Sequence, residues 1–275
     1  MFTGLTIGVI GTGNMGEILI RGLLGSGQVT KEQVVATEPT EERREFIART
    51  YGIRFADSNS KLVEVSDIVV LAVKPQNVDA VLDELSHGSH EGHLFISIAA
   101  GVPTDRIAAK LHGESRVVRV MPNAPALVQT GAAGLCPGKN CREEDLARAR
   151  AIFDAVGKTV VIRNEALMDV VTGLSGSGPA FVFLMIESLS DAGVQLGLQR
   201  GQANLLAAQT VYGAAKMYLE TGRHPSELKD LVATPGGTTF AGLKSLEKGN
   251  FRSTVMDAVE AATEKSRELG RVKKG

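Results

Sequence analysis

Thr6-Ile7-Gly8-Val9-Ile10 runs straight into Gly11-Thr12-Gly13-Asn14-Met15-Gly16, and this stretch decides how the first half of the chain folds. The apolar, β-branched run reads as a strand. The glycines turn it, and Asn14–Leu24 then shows helical apolar spacing until Gly25 and Gly27 break it. Each glycine of the G-x-G-x-x-G pattern has its own physical task. Gly11 permits the tight turn, Gly13 lets a pyrophosphate approach the backbone, and Gly16 lets helix pack closely on strand. The free amides and positive dipole end of the following helix make an anion receptor. A lone glycine triplet says little, but here it stands in the strand–turn–helix setting that dinucleotide binding requires.

Working outward, Gln33–Thr37 reads as a second strand and Glu41–Thr50 as a helix closed near Gly52. Asp67–Val73 is a continuous apolar strand stopped by Pro75, with further strands at Leu94–Ile98, Arg116–Val120 and Thr159–Ile162. Near-continuous apolar strands separated by helices predict a parallel sheet covered on both faces, so residues 1–164 read as a doubly wound α/β domain. Past Asn164 no strand is expected, and residues 165–275 read as all-helical. Its helices are predicted at Pro179–Ala192, Arg200–Thr221, Glu227–Val232, Thr239–Leu246 and Phe251–Leu269. Leu205–Tyr218 is apolar around most of its circumference, which predicts burial in a core or a subunit interface. In so small a domain the interface is favoured.

The chain has 275 residues, 43% hydrophobic and 22% charged, enough for a substantial core. Thirty basic and 31 acidic side chains leave a net charge of −1, from which no general attraction to nucleic acid or membrane follows. Cys136 and Cys141 are too few for a disulfide scaffold, and their spacing is not a zinc pattern. The longest apolar run, Ala180 to Ile186, falls short of the ~20 residues that span a bilayer, and the first residues carry no basic export signal. A soluble, cytoplasmic protein is expected. His87, His90 and His93 recur every third residue, but Gly88, Ser89 and Gly92 lie between them. They read as a surface loop, with no metal site expected there or elsewhere. His112 and His224 read as surface or packing residues.

Glu38 follows the second strand, where an acid can accept a ribose hydroxyl and repel a 2′-phosphate, favouring NADH. Thr37, Thr40, Arg43 and Arg44 could receive that phosphate instead, which leaves NADPH open, and Glu38 could equally be a solvated residue before Pro39. Ala72-Val73-Lys74-Pro75 ends one strand and Ile98-Ala99-Ala100-Gly101 follows another, both at the edge where ligands of open parallel sheets lie. Lys74 either stabilises cofactor charge or is a surface lysine. Pro122 and Asn123 end a further strand, where the nicotinamide is expected. In the second half, Gly173-Leu174-Ser175-Gly176-Ser177-Gly178-Pro179 leads into a helix. It fails the G-x-S-x-G elbow of serine hydrolases and reads as a close-packing turn at the domain junction. Thr234-Pro235-Gly236-Gly237-Thr238-Thr239 opens another helix, where successive amides can hold a small carboxylate and hydroxyls can donate or accept. A helix cap without a ligand is the alternative.

Taken together these motifs resemble the pyrroline-5-carboxylate reductases. The resemblance runs over nearly the whole chain and is strongest in Thr172–Phe181, Leu206–Met217, His224–Asp230, Pro235–Leu246 and Phe251–Ala262. The PGGTT-x-x-GL-x-x-LE pattern with the GLSGSGPA loop is far more specific than the glycine fingerprint. Resemblance implies a Rossmann domain, an all-α dimerisation domain, and a homodimer that can assemble further to a decamer. It implies reduction of 1-pyrroline-5-carboxylate to L-proline by NADPH or NADH, the last step of proline biosynthesis. It further implies that amides around Gly236, Gly237 and Thr238 hold the carboxylate and that the Thr239 hydroxyl bonds the ring nitrogen. Thr234, Ser175 and Ser177 would line the pocket, which the partner subunit completes. For the cofactor it implies Gly11, Thr12, Gly13, Asn14, Met15, Gly16, Asn59, Ala72 to Pro75 and Ile98 to Gly101. Glu38 departs from the serine or arginine that relatives often carry. Two other readings stand beside this one. A 3-hydroxyacid dehydrogenase would want a helical lysine acid/base, and Lys216 and Lys229 lack the expected setting. A non-catalytic dinucleotide sensor has no need of the threonine loop.

Overall fold

The computed structural model describes residues 1–86, 88–111 and 114–271. Ile7–Ile10 (β1), Val34–Thr37 (β2), Ile68–Leu71 (β4) and Leu94–Ser97 (β5) are buried at every position, which requires cover on both faces of their sheet. Arg54–Phe55 (β3), Arg116–Met121 (β6), Gly131–Pro137 (β7) and Gly157–Val161 (β8) complete it, in the order β3-β2-β1-β4-β5-β6-β7-β8. From β3 to β6 all pairings are parallel, and the winding reverses between β1 and β4, the crevice in which such sheets take dinucleotides. Successive residues go to opposite cores. Ile68 and Val70 join one cluster with Ile7, Val34 and Leu19, whereas Val69 and Leu71 join the other with Val35, Leu82 and Phe95. The covering helices are Asn14–Gly25 (α1), Glu41–Tyr51 (α2), Asn59–Glu64 (α3), Val78–Leu85 (α4), Thr104–Lys110 (α5) and Glu143–Asp154 (α6).

β7 departs from expectation. The sequence predicts a parallel sheet, which holds for most of the strands, and no strand at this place, yet β7 runs antiparallel to β6, with Val120 opposite Leu135, and β8 then runs parallel to β7. Gly131-Ala132-Ala133-Gly134 has no β-branched residue to signal a strand. Closeness of backbone makes it one. A Cβ on Gly157 would stand 2.0 Å from the Gly131 carbonyl oxygen, so small residues are what allow this edge to pair.

The chain forms two compact units, Met1–Gly176 with the chain from Ala262, and Ser177–Ala261. Strands give way to helices at Asn164, but the chain stays with the first unit through Met168–Val171 (α7) and the π-helical turn Thr172–Gly176. Glu165 ties it there, accepting the Thr104 amide and hydroxyl at 2.8 Å each and pairing with Arg119 at 3.3 Å. The second unit holds Gly178–Gln195 (α8), Arg200–Thr221 (α9), Pro225–Val232 (α10), Thr238–Lys248 (α11) and the first half of Phe251–Arg271 (α12). α8 and α9 meet through small residues. Ala203 and Ala207 are buried, a Cβ on Gly193 would lie 3.2 Å from the Ala203 Cβ, and Ser190 donates to Asn204 at 2.5 Å. Large apolar residues of this unit stay bare: Phe183 is 63% exposed, Leu205 69% and Leu219 72%. The all-round apolar helix therefore is not buried within its own chain. Moreover, the 31-residue helical stretch Glu165–Gln195 is long and apolar enough to cross a membrane by length and composition, although its longest uninterrupted apolar run is short.

His93 also corrects an expectation. It is buried, stacked 3.7 Å from His90 and 5.8 Å from Phe95. Its Nδ1 accepts the His90 amide at 3.0 Å and its Nε2 lies 3.1 Å from the Val63 carbonyl, so the proton sits on Nε2 and the neutral ring is fully engaged. His90 accepts the Gly92 amide, while His87 and His112 lie outside the described residues. Burial first, then the neighbouring His90, holds the His93 pKa below its ordinary 6.5, against weaker opposition from Asp67 and the backbone contacts. With a depressed folded pKa, its stabilisation is present above the unfolded value and is lost as pH falls from there through the folded one. The melting temperature should therefore drop more steeply on acidification below about pH 6.5 in the wild type than in His93→Gln. Parallel thermal-denaturation profiles would remove His93 as the cause.

Candidate active site

The glycine loop sits where β1 ends between β2 and β4. Gly11 takes φ +89°, and its amide donates to the Thr37 carbonyl at 3.0 Å. A Cβ on Gly16 would stand 2.1 Å from the Gly11 carbonyl oxygen, so α1 can start this close to the strand only with glycine there. A Cβ on Gly13 would meet nothing within 4 Å among the described residues. That open space over an uncapped helix start fits the phosphates of a dinucleotide.

Beside it lies a cleft of about 410 Å³ lined by Thr37, Glu38, Arg44, Asn59, Val73 and Glu84, among others. Glu38 Oε2 accepts the amide and the hydroxyl of Thr12, each at 3.0 Å, and its Oε1 accepts the Thr40 amide at 3.2 Å. Asn59, which in the sequence looks like loop, opens α3, takes the Thr37 hydroxyl at 2.5 Å and donates to Glu84 at 2.7 Å. Arg43 does not swing freely toward a 2′-phosphate position. Its Nε donates to the Thr12 carbonyl at 2.8 Å, its guanidinium pairs with Glu17, and Tyr51 donates to the other Glu17 oxygen at 2.7 Å. Burial opposes ionisation of Glu17, but the hydrogen bonds from Tyr51 and Arg43 outweigh it and hold the carboxyl below its usual range. Arg43 is thus a brace between α1, α2 and the glycine loop.

The remaining strand-end residues divide between lining and bracing. Ala72 and Val73 lie beside the loop, and Lys74, before Pro75, is exposed. After β5, Ile98 is half-buried, Ala99 buried and Ala100 exposed. Gly101, at φ +73°, faces α12, with its Cβ position 3.5 Å from the Gly270 Cα. Past β6 and Pro122, Asn123 donates to the Ser175 carbonyl at 2.9 Å and accepts the Ala132 amide at 2.8 Å, pinning the strand end to the π-helical turn. Ser175 donates to Val171 at 3.0 Å, and Ser177 opens α8 in the second unit. Burial pushes the thiols of Cys136 and Cys141 up to about 11, so neither is a nucleophile near neutrality.

In the second unit, Gly236 at φ +71° turns the chain, and the Gly237 amide donates to the Thr234 carbonyl at 2.9 Å. This withdraws the Gly237 amide from any anion. A Cβ on Gly237 would stand 2.4 Å from the Thr234 hydroxyl oxygen and 3.0 Å from its carbonyl oxygen, so any larger residue there would have to displace the Thr234 side chain. The amides of Thr238 and Thr239 then begin α11 without intrahelical partners, and neither a capping side chain nor a first-turn acid stands over them among the described residues. Thr239 donates its hydroxyl proton to the Val232 carbonyl at 2.9 Å, leaving its lone pairs to accept.

Two family models match the chain. Residues 6–101 match the model described as NADP oxidoreductase, coenzyme F420-dependent, and residues 165–269 match pyrroline-5-carboxylate reductase dimerisation. A pyrroline-5-carboxylate reductase of Methanosarcina acetivorans is 49% identical over 265 residues, covering 96% of this chain and 98% of its own. Among solved structures, the Coxiella burnetii pyrroline-5-carboxylate reductase has a TM-score of 0.92 at 37% identity, covering 96% and 98% of the two chains. The Plasmodium falciparum pyrroline carboxylate reductase, solved with NADP bound, has a TM-score of 0.85 at 36% identity, covering 98% and 100%. The chain belongs to the pyrroline-5-carboxylate reductase family.

It is accordingly an NAD(P)H-dependent oxidoreductase of proline biosynthesis. The dimerisation model spans α7 to α12 and accounts for the bare apolar faces of the second unit, since monomers rarely leave such patches uncovered. The family forms a homo-oligomer, a dimer at least, and the matched span is the one that carries those faces. A charge placed among them, as in Leu205→Glu, should weaken association at least about a hundredfold, read as a shift toward monomer in sedimentation velocity. An unchanged sedimentation coefficient would put Leu205 outside the interface.

Proposed function

We propose that the mouth of α11 receives the carboxylate of 1-pyrroline-5-carboxylate while Thr239 holds the ring nitrogen, and that the C=N bond is reduced there to give L-proline. The observation that carries this reading is the combination at α11 of an uncapped helix start with a threonine whose own proton is already engaged. The Thr238 and Thr239 amides and the helix dipole suit the carboxylate, an arrangement worth about 0.3–1 kcal/mol in an exposed setting and more when water is excluded. Because the Thr239 hydroxyl donates to Val232, it can only accept from the ring. That suits the N–H of a protonated imine and would leave a neutral imine nitrogen without a donor. A protonated imine is already electrophilic at carbon, so the protein needs to orient the ring more than to deliver a proton. Gly236, Gly237 and Thr234 shape the turn that aims these groups, and Ser175 and Ser177 line the pocket.

On the nucleotide side, Gly11 to Gly16 hold the pyrophosphate, and Glu38 with Asn59 holds the adenosine ribose. Ala72 to Pro75 and Ile98 to Gly101 form the wall along which the cofactor lies, with Pro122 and Asn123 at its nicotinamide end. NADPH or NADH, when bound, supplies the hydride. Residues 1–164 are then the dinucleotide domain and 165–275 the dimerisation and substrate domain, a division supported by the span of the dimerisation model. We read the assembly as a cytoplasmic homodimer that extends to a decamer, with neither nucleic acid nor membrane as partner. The net charge of −1 supports the first absence. Support for the second comes from the match of residues 165–269, the apolar Glu165–Gln195 stretch included, to a dimerisation model.

With the imine as substrate, purified protein should oxidise reduced nicotinamide, and 3-hydroxyacids should drive no reverse reaction. A flat absorbance trace with both cofactors would refute the assignment. Thr239→Ala should lower kcat by about tenfold or more, the worth of a hydrogen bond to a charged group, while the dissociation constant for dinucleotide stays unchanged and Thr239→Ser restores most of the rate. Unaltered kcat in Thr239→Ala would take this side chain out of the reaction.

A further inference from the structure

The cleft beside the glycine loop has a lopsided charge. Glu38, Asp57 and Glu84 line it against one cation, Arg44. Glu38 is held rather than loose, because Thr12 and Thr40 supply three donors to its carboxylate. A carboxylate has about four acceptor positions, so roughly one remains toward the cleft. Glu84 is likewise oriented, by Asn59. Arg43, which follows in α2, is committed to Thr12 and Glu17. Arg44 is 40% exposed, lies over the Phe55 ring at 5.8 Å and has Glu41 at 3.8 Å.

We infer that this cleft selects NADH over NADPH, with Glu38 as the selecting residue and Glu84 and Asp57 as supporting charges. The inference rests on reading the glycine loop as the dinucleotide site. In that fold the residue after β2 faces the adenosine ribose. A 2′-hydroxyl has a proton for the one free acceptor position of Glu38. A 2′-phosphate has none to offer and carries close to two negative charges into a wall whose own formal charge is three carboxylates less one guanidinium. Moving Glu38 aside would break three hydrogen bonds, two of which set the position of Thr12 in the glycine loop. Accommodation of the phosphate by a simple rotamer change is therefore closed off, and selectivity is built into the loop itself.

Calorimetric titration of the intact oligomer tests this without turnover. Wild type should bind NADH at least about tenfold more tightly than NADPH. It should likewise prefer 5′-AMP over adenosine 2′,5′-bisphosphate, a pair that carries the difference without the nicotinamide. Raising the salt concentration should narrow both gaps, since screening weakens the repulsion. Glu38→Ser should close or invert the NADH preference chiefly by gaining affinity for NADPH, and Glu84→Gln should narrow it. Should Glu38→Ser fail to fold, the wild-type comparison and Glu84→Gln still decide. Equal or tighter binding of NADPH by the wild type overturns the inference and leaves the reductase reading standing. An unshifted preference in a folded Glu38→Ser overturns it too. Failure to bind either dinucleotide would instead bring down the cofactor site.

Discussion

Helix α1 begins so close to the end of β1 that a Cβ on Gly16 would stand 2.1 Å from the Gly11 carbonyl oxygen, and the nucleotide half of the molecule depends on that approach. Because Gly16 has no Cβ, the first turn of α1 can sit directly on the end of β1 with its amides facing the open space above Gly13. The crevice between β1 and β4 then has an anion receptor at its floor, and everything that touches the loop serves to hold it. Glu38 grips Thr12 from β2, and Arg43 grips the Thr12 carbonyl from α2 while Glu17 and Tyr51 hold Arg43. A loop of small residues gains from these side chains the rigidity it cannot supply itself.

The second unit obeys the opposite economy of contact. α8 and α9 approach through Ala203, Ala207 and Gly193, which bury little, and leave Phe183, Leu205 and Leu219 in the open. Association, which binds only the folded chain, adds to the stability of these helices in proportion to the logarithm of protomer concentration. The same unit carries the turn at Gly236 and Gly237, between α10 and α11, and the free amides of α11. The span matched by the dimerisation model therefore includes this helix mouth.

Several polar groups that read as ligand contacts in the sequence also hold the structure. Asn123 pins the end of β6 to the turn at Ser175, Arg43 braces the glycine loop, and the Gly237 amide closes its own turn. His93 fills the end of a core beside Phe95. In each case burial or loop closure gives the side chain or amide a partner within the fold.

The amino-acid sequence by itself determined the strand–turn–helix at Gly11–Gly16, the apolar strands Ile7–Ile10 and Ile68–Leu71, the helices of the second half to within a few residues, and the family motif at Pro235–Leu246. These signals are local, set by periodicity, by glycine, or by a pattern within one turn. Tertiary structure alone decided that Gly131–Pro137 is an antiparallel strand, that Asn59 reaches Thr37 and Glu84, that Arg43 faces Glu17, and that the chain from Ala262 returns to the first unit. Each of those depends on partners tens of residues away, which a linear pattern does not name. A strand of Gly and Ala exists only because two neighbours pair with it, and an arginine is a ligand or a brace according to which carboxylate the fold sets beside it.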